Sequence, residues 1–300
     1  MKIAPKIPTH ILRPPGPWEH LDVNANGANF HCVRSGPKNG PTVILLHGFP
    51  QFWWAWRNQI PALAQAGYQV IALDLRGFGD SDKQPRGNDP WTMAHDVAGI
   101  MTTLGTENAT IVGHGLGGQI AWALPHVAPS LVNAIAVIAC PHPLAVRSLH
   151  SRLLSGAAAQ LLFFQLPFFP ERGLRTGKLL RHIFSTWTGT NKAALATAEP
   201  IYTATFATSF ARTAAFYFIR QNRRFPTRLT ALFRQKVSVP VLSVQGQKDS
   251  VTPAQAYARD AHYADVTQVC IPEVGHFVPE EAPSRLSQVL LDFLESLPSR

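Results

Sequence analysis

Five short runs of near-continuous apolar residues, rich in β-branched side chains, punctuate the chain at residues 42–46, 69–73, 109–112, 134–139 and 239–244, and 267–271 reads as a last strand. Such runs predict strands buried on both faces. Between them, apolar residues recur at helical spacing over 54–66, stopped by Gly67, and over 92–104, closed by Gly105. Residues 119–127 and 284–297 read as further helices. Ahead of all this, residues 18–34 read as a hairpin with Asn26-Gly27 at its turn. Strand and helix in alternation predict an α/β fold: a mostly parallel central sheet with helices on both faces. Residues 144–238 break the alternation with helix-compatible apolar runs and no clear strand, so they read as an inserted helical cap. The expected organisation is core over 1–143, cap over 144–238, and core again over 239–300.

The segment Gly113-His114-Gly115-Leu116-Gly117 joins a strand to a helix and has the outline of G-x-S-x-G, the turn that presents a nucleophile above an α/β sheet. Its middle position is Gly115, which carries no nucleophile. Gly113, Gly115 and Gly118 also satisfy the dinucleotide fingerprint G-x-G-x-x-G. That site needs a carboxylate about 20 residues downstream, and no Asp or Glu occurs between Glu107 and Glu171. The motif also follows several earlier strands instead of the first, so the nucleophile-turn reading is preferred.

Composition narrows the classes further. Three scattered cysteines (Cys32, Cys140, Cys270) give no disulfide framework, and the N-terminal residues lack the apolar stretch of a secretory signal. A cytoplasmic protein is expected. Neither C-x-x-C nor H-E-x-x-H spacing occurs, so neither a metal nor another cofactor is expected. The net charge of +9 is uneven: residues 144–238 hold 14 Lys and Arg against two acids, Glu171 and Glu199.

Acyl or alkyl transfer on this architecture needs a nucleophile, a base, an acid to orient the base, and N–H donors for a developing oxyanion. Asp249 and His276 follow the turn in the expected chain order, each just past a predicted strand. Asp249 would hold the imidazole tautomer, or simply cap the following helix; His276 would activate water. The backbone N–H groups of Phe49 and Leu116 would bind the oxyanion, and they persist whatever residue stands at 115. Cys140, at the end of the strand after the turn, falls near the site.

The run H-G-F-P-Q-F-W-W-A-W-R from His47, continuing to D-L-R-G-F-G-D-S-D at Asp74, resembles the epoxide hydrolases of the α/β-hydrolase superfamily, with haloalkane dehalogenases as close relatives. The resemblance is close over 41–143 and 239–298 and loose in the cap. It implies an α/β-hydrolase fold, Asp249 as acid, His276 as base and Phe49 as an oxyanion donor. In that family the turn carries an Asp that opens the epoxide to an ester, which water then cleaves, and two cap tyrosines hold the epoxide oxygen. Here the nucleophile position is Gly115. Tyr217 falls where the second tyrosine would be, and Tyr202 matches the first poorly. Trp53, Tyr202 and Cys140 are the candidate substrate-binding residues.

The resulting expectation is a hydrolase frame with weak, water-direct or absent hydrolysis of an apolar or lipid-like substrate. Its rival is a non-catalytic pseudoenzyme that binds a lipid or other ligand. Residues 153–170 carry no charge over 18 positions and are bordered by Arg147, Arg152, Arg172, Arg175, Lys178 and Arg181. That pattern suits either a substrate tunnel or a segment lying on the anionic inner face of a membrane. Two glutamines and Pro167 interrupt it, so it is not expected to span. No nucleic-acid motif accompanies the basic residues, and no nucleic-acid partner is expected.

Overall fold

The structure is a computed structural model that describes residues 7–147, 160, 162–221, 227–252 and 254–298. Residues 153–159 and 161 of the uncharged stretch, and Arg152 on its flank, lie outside the described residues. Eight strands form one sheet in the spatial order β1-β2-β4-β3-β5-β6-β7-β8. They are β1 (Glu19–Ala25), β2 (Ala28–Ser35), β3 (Thr42–Leu46), β4 (Gln69–Leu73), β5 (Ala109–His114), β6 (Val132–Ile138), β7 (Val241–Gly246) and β8 (Val266–Ile271). The hairpin β1–β2 is antiparallel and joins β4 antiparallel; from β4 through β3 to β8 every pairing is parallel.

The apolar runs predict these strands because the sheet is covered on both faces. Every residue of β5 is buried, as are nearly all of β3, β4 and β6. The edge strands β1 and β8 are partly exposed and more polar. The helix expected over 54–66 is two pieces, a 3-10 turn at Trp53–Trp56 and an α-helix at Gln59–Gln65. Pro61 falls in the first turn of the second piece, where its missing N–H costs nothing. The helix after β5 begins at Leu116, three residues earlier than its apolar spacing suggested.

After β3 the chain crosses to β4 on one side, then returns to β5 on the other. Neighbouring strands whose connections leave in opposite directions form a topological switch point, where open α/β sheets gather their ligands at the carboxyl ends. Here that crevice lies between the loop from His47 and the turn at Gly115. Between β6 and β7 the described residues form helices and no strand. Among them are Phe169–Arg175, Lys178–Trp187, Glu199–Thr205 and Ser209–Gln221. No helix among the described residues is long and apolar enough to cross a membrane.

Candidate active site

The turn after β5 is tight because two glycines let helix and strand touch. A Cβ on Gly117 would lie 2.2 Å from the Leu46 carbonyl oxygen, and one on Gly113 would lie 2.3 Å from that of Gly117. The Gly117 N–H donates to the His47 carbonyl (3.1 Å) and the Gly115 N–H to that of Ile138 (2.9 Å), so β3 and β6 grip the turn from both sides. Gly115 itself has φ 51° and ψ −108°, a conformation L side chains adopt only under strain.

Position 115 and the imidazole meet. A Cβ built on Gly115 would lie 3.4 Å from His276 Nε2, and the next nearest atom, Gly48 Cα, would be 3.8 Å away. His276 Nδ1 sits 3.1 Å from Asp249 Oδ2, and the Asp249 side chain is wholly buried. A carboxylate only accepts, so Nδ1 carries the proton and the Nε2 lone pair faces Gly115. Asp249 Oδ1 meanwhile accepts the N–H groups of Val251 and Thr252. One oxygen of Asp249 thus meets the imidazole while the other holds the turn ahead of the helix Ala254–Tyr257. The N–H groups of Phe49 and Leu116 flank the crevice, and neither has a partner among the described residues. Leu116 is the first residue of its helix, where an N–H has no intrahelical acceptor.

The loop bearing His276 is held on four sides. Its N–H donates to the Trp187 carbonyl (2.8 Å), and its carbonyl accepts from His114 Nε2 (2.8 Å). Glu281 accepts the N–H groups of Gly275 (2.9 Å) and Phe277 (2.9 Å), the residues either side of His276, and that of Gly189 (2.7 Å). Burial pushes the Glu281 carboxyl up, against the pull of those three donors. Burial likewise depresses His114 to about 3, so it is a neutral structural donor beneath the site. Glu281 carries no sequence signal beyond lying five residues past V-G-H, and sequence reasoning missed it.

Aromatic rings roof the crevice. Phe164 and Phe216, both fully buried, pack on Phe49 at 5.8 and 5.7 Å, and Trp187 meets the His276 ring edge-on at 5.3 Å. The helix Ser209–Gln221 thus turns Phe216 inward, while its neighbour Tyr217 is only half-buried. Tyr202 is fully buried but committed elsewhere: its hydroxyl donates to Glu280, which also pairs with Arg57 (2.6 Å), and Gln51 donates to Tyr202 (3.3 Å). Trp53 packs on Trp18 and donates to the Leu12 carbonyl (2.9 Å), on the hairpin side of the sheet. Cys140 packs against Gly118, and burial pushes its thiol well above the ordinary range, which disfavours the reactive thiolate. Of the candidates, then, Gly115, Phe49, Leu116, Asp249 and His276 come together. Trp53 and Tyr202 bond away from the imidazole, and Cys140 serves as packing. Among the described residues no group of three or more His, Cys, Asp or Glu could hold a metal ion.

Comparison with known proteins bears on the fold and the family. A family model described as alpha/beta hydrolase fold matches residues 41–283. The AB hydrolase superfamily protein YfhM of Bacillus subtilis is 30% identical over 283 residues, covering 91% of this chain and 97% of that protein. Epoxide hydrolase 4 of Homo sapiens is 28% identical, with 92% and 78% covered. Among solved structures, the epoxide hydrolase CorEH superposes with a TM-score of 0.81 at 27% identity, covering 94% of this chain and 100% of that one. Epoxide hydrolase A from Mycobacterium thermoresistibile gives 0.80 at 25% identity, with 94% and 100% covered. With most of its length matched by the family model and epoxide hydrolases among the relatives it resembles, the chain belongs to the alpha/beta hydrolase fold family.

Proposed function

We propose that this protein is an epoxide-hydrolase-type frame that retains the base, its orienting acid and the oxyanion donors but has lost the covalent step. The observation that carries the reading is the 3.4 Å between a Cβ at Gly115 and His276 Nε2. In this reading Gly115 stands at the nucleophile position and no ester can form on it. His276, oriented by Asp249, takes a proton as a water oxygen bonds the epoxide carbon; the ring C–O bond breaks, and the alkoxide, held by the Phe49 and Leu116 N–H groups, receives that proton. Substrate is apolar, since Phe49, Phe164, Phe216 and Trp187 supply the walls. Loss of a nucleophile leaves roughly 10³–10⁴-fold acceleration over water where binding and the oxyanion hole persist.

The second reading, a non-catalytic ligand binder, is favoured by the placement of the cap tyrosines. Tyr202 is occupied by Glu280, and a phenylalanine, which cannot donate to an epoxide oxygen, fills the roof beside Tyr217. One pair of proteins tests both readings. Wild type and Gly115→Asp are assayed on a panel of apolar epoxides, with mass spectrometry for an ester. We expect no ester and slow or no turnover for wild type, and faster turnover with a trapped ester for Gly115→Asp. Rapid turnover by wild type would sink the proposal. A Gly115→Asp protein that binds epoxides yet turns none over would favour the binder.

A further inference from the structure

Five large apolar side chains stand exposed among the described residues: Leu162, Leu166, Phe168, Phe169 and Phe210. All five lie between β6 and β7. Single exposed apolar residues are ordinary on a protein surface; their confinement to one segment is not. The tip Leu166-Pro167-Phe168-Phe169 is exposed throughout, and Phe168 is 82% accessible. Phe168 also has φ 67° and ψ −38°, a conformation unfavourable to any residue but glycine, so the chain bears a conformational cost to hold this tip outward.

The charge around the tip has one sign. Phe169, Arg172 and Arg175 are spaced three apart on one helix and therefore share a face. Arg172, Arg175 and Lys178 are all exposed. Both acids of the segment are already paired within it: Glu171 with Arg220 at 2.6 Å and Glu199 with Arg181 at 3.3 Å. Arg220 further binds the Phe164 and Leu166 carbonyls at 3.0 and 2.7 Å, which fastens the tip to the helix Ser209–Gln221. Aromatic side chains projecting from a rim of cations, with no free carboxylate to repel phosphate, complement the headgroup layer of an anionic bilayer. A polar or acidic protein surface would not cover the phenylalanines.

We propose that this face docks on membranes containing anionic phospholipid, with Phe168 and Phe169 inserted at the headgroup level and Arg172, Arg175 and Lys178 paired to phosphates. The same short segment places Phe164, four residues before Phe168, on Phe49 in the crevice roof. Docking therefore acts on the chain that covers the site. Docking does not depend on whether the site turns substrate over.

The test is co-sedimentation of the full chain with vesicles of phosphatidylcholine, with and without phosphatidylglycerol. Binding to the mixed vesicles is expected, weakening as salt rises. Phe168→Ser with Phe169→Ser should reduce it at least tenfold, and Arg172→Gln and Arg175→Gln by roughly fivefold each. These side chains are exposed, so thermal midpoints should stay near wild type. Three outcomes overturn the proposal: no sedimentation with mixed vesicles at low salt; equal binding to phosphatidylcholine alone that ignores the arginine changes; or a dimer in gel filtration that the double phenylalanine variant dissolves, without vesicle binding.

Discussion

Glycine at position 115 changes two quantities at once, and they can be separated. The backbone keeps φ 51° and ψ −108°, a geometry that costs a residue with a Cβ about 1–3 kcal/mol. Glycine avoids most of that cost, so a variant bearing a side chain here should be less stable than this chain. Gly115→Ala isolates the effect: its methyl group meets nothing closer than His276 Nε2 at 3.4 Å, an ordinary contact. The variant should lose about 1–3 kcal/mol in urea unfolding, with an unchanged m-value and no gain in turnover. A midpoint equal to wild type would mean that the turn relaxes when a side chain is present. Gly115→Asp should bear the same penalty, so its gain in turnover would come despite lower stability, the usual trade between stability and activity.

The central strands were legible in the sequence because burial on both faces leaves little room for polar residues, whereas the edge strands rest on turn signals and order. The helical boundaries were less so: the small residues after Gly115 allow a helix but do not announce its start, and Pro61 gives no sign that a 3-10 turn precedes it. At the site, Asp249 and His276 were legible because chain order and strand ends fix them. Glu281 and the Tyr202–Glu280–Arg57 cluster were not, since they depend on contacts between distant segments. Asp260 is another such case, tying elements together unseen in the sequence. It accepts the His142 N–H (2.8 Å) just past β6 and the Ser243 hydroxyl (2.9 Å) on β7. Burial pushes its carboxyl up to about 7 from an ordinary 3.8. A raised carboxyl binds its proton in the folded state first, so its favourable contribution is complete below about pH 4 and is lost as pH rises towards 7. Asp260→Asn mimics the protonated form. The stability of wild type relative to this variant should therefore fall between about pH 4 and 7, by at most about 1.4 kcal/mol per pH unit, and level off above. A flat difference across that range would show that Asp260 keeps an ordinary carboxylate.

Across the whole molecule, the helices between β6 and β7 are bound to the same loop that carries the imidazole. Trp187 accepts the His276 N–H, Gly189 donates to Glu281, and Thr190 donates to the Glu273 carbonyl at 3.0 Å. A second tie runs through Tyr202, whose hydroxyl reaches Glu280, while Gln51 and Arg57 complete the cluster. If this tyrosine is a structural bond between the roof and the sheet, Tyr202→Phe removes a hydrogen bond to a buried carboxylate. That should cost about 1.5–3 kcal/mol of global stability. Measured in the Gly115→Asp background, kcat and KM should then stay within roughly twofold, because Phe preserves the packing on Phe52 and Phe184. A tyrosine that holds a substrate oxygen predicts the reverse: stability near its parent, with kcat/KM down a hundredfold or so as a buried donor is lost from the transition state. The two measurements on one variant therefore decide whether the polar end of Tyr202 serves the roof or the chemistry. The hydroxyl's bond to Glu280, itself ion-paired to Arg57, favours the roof.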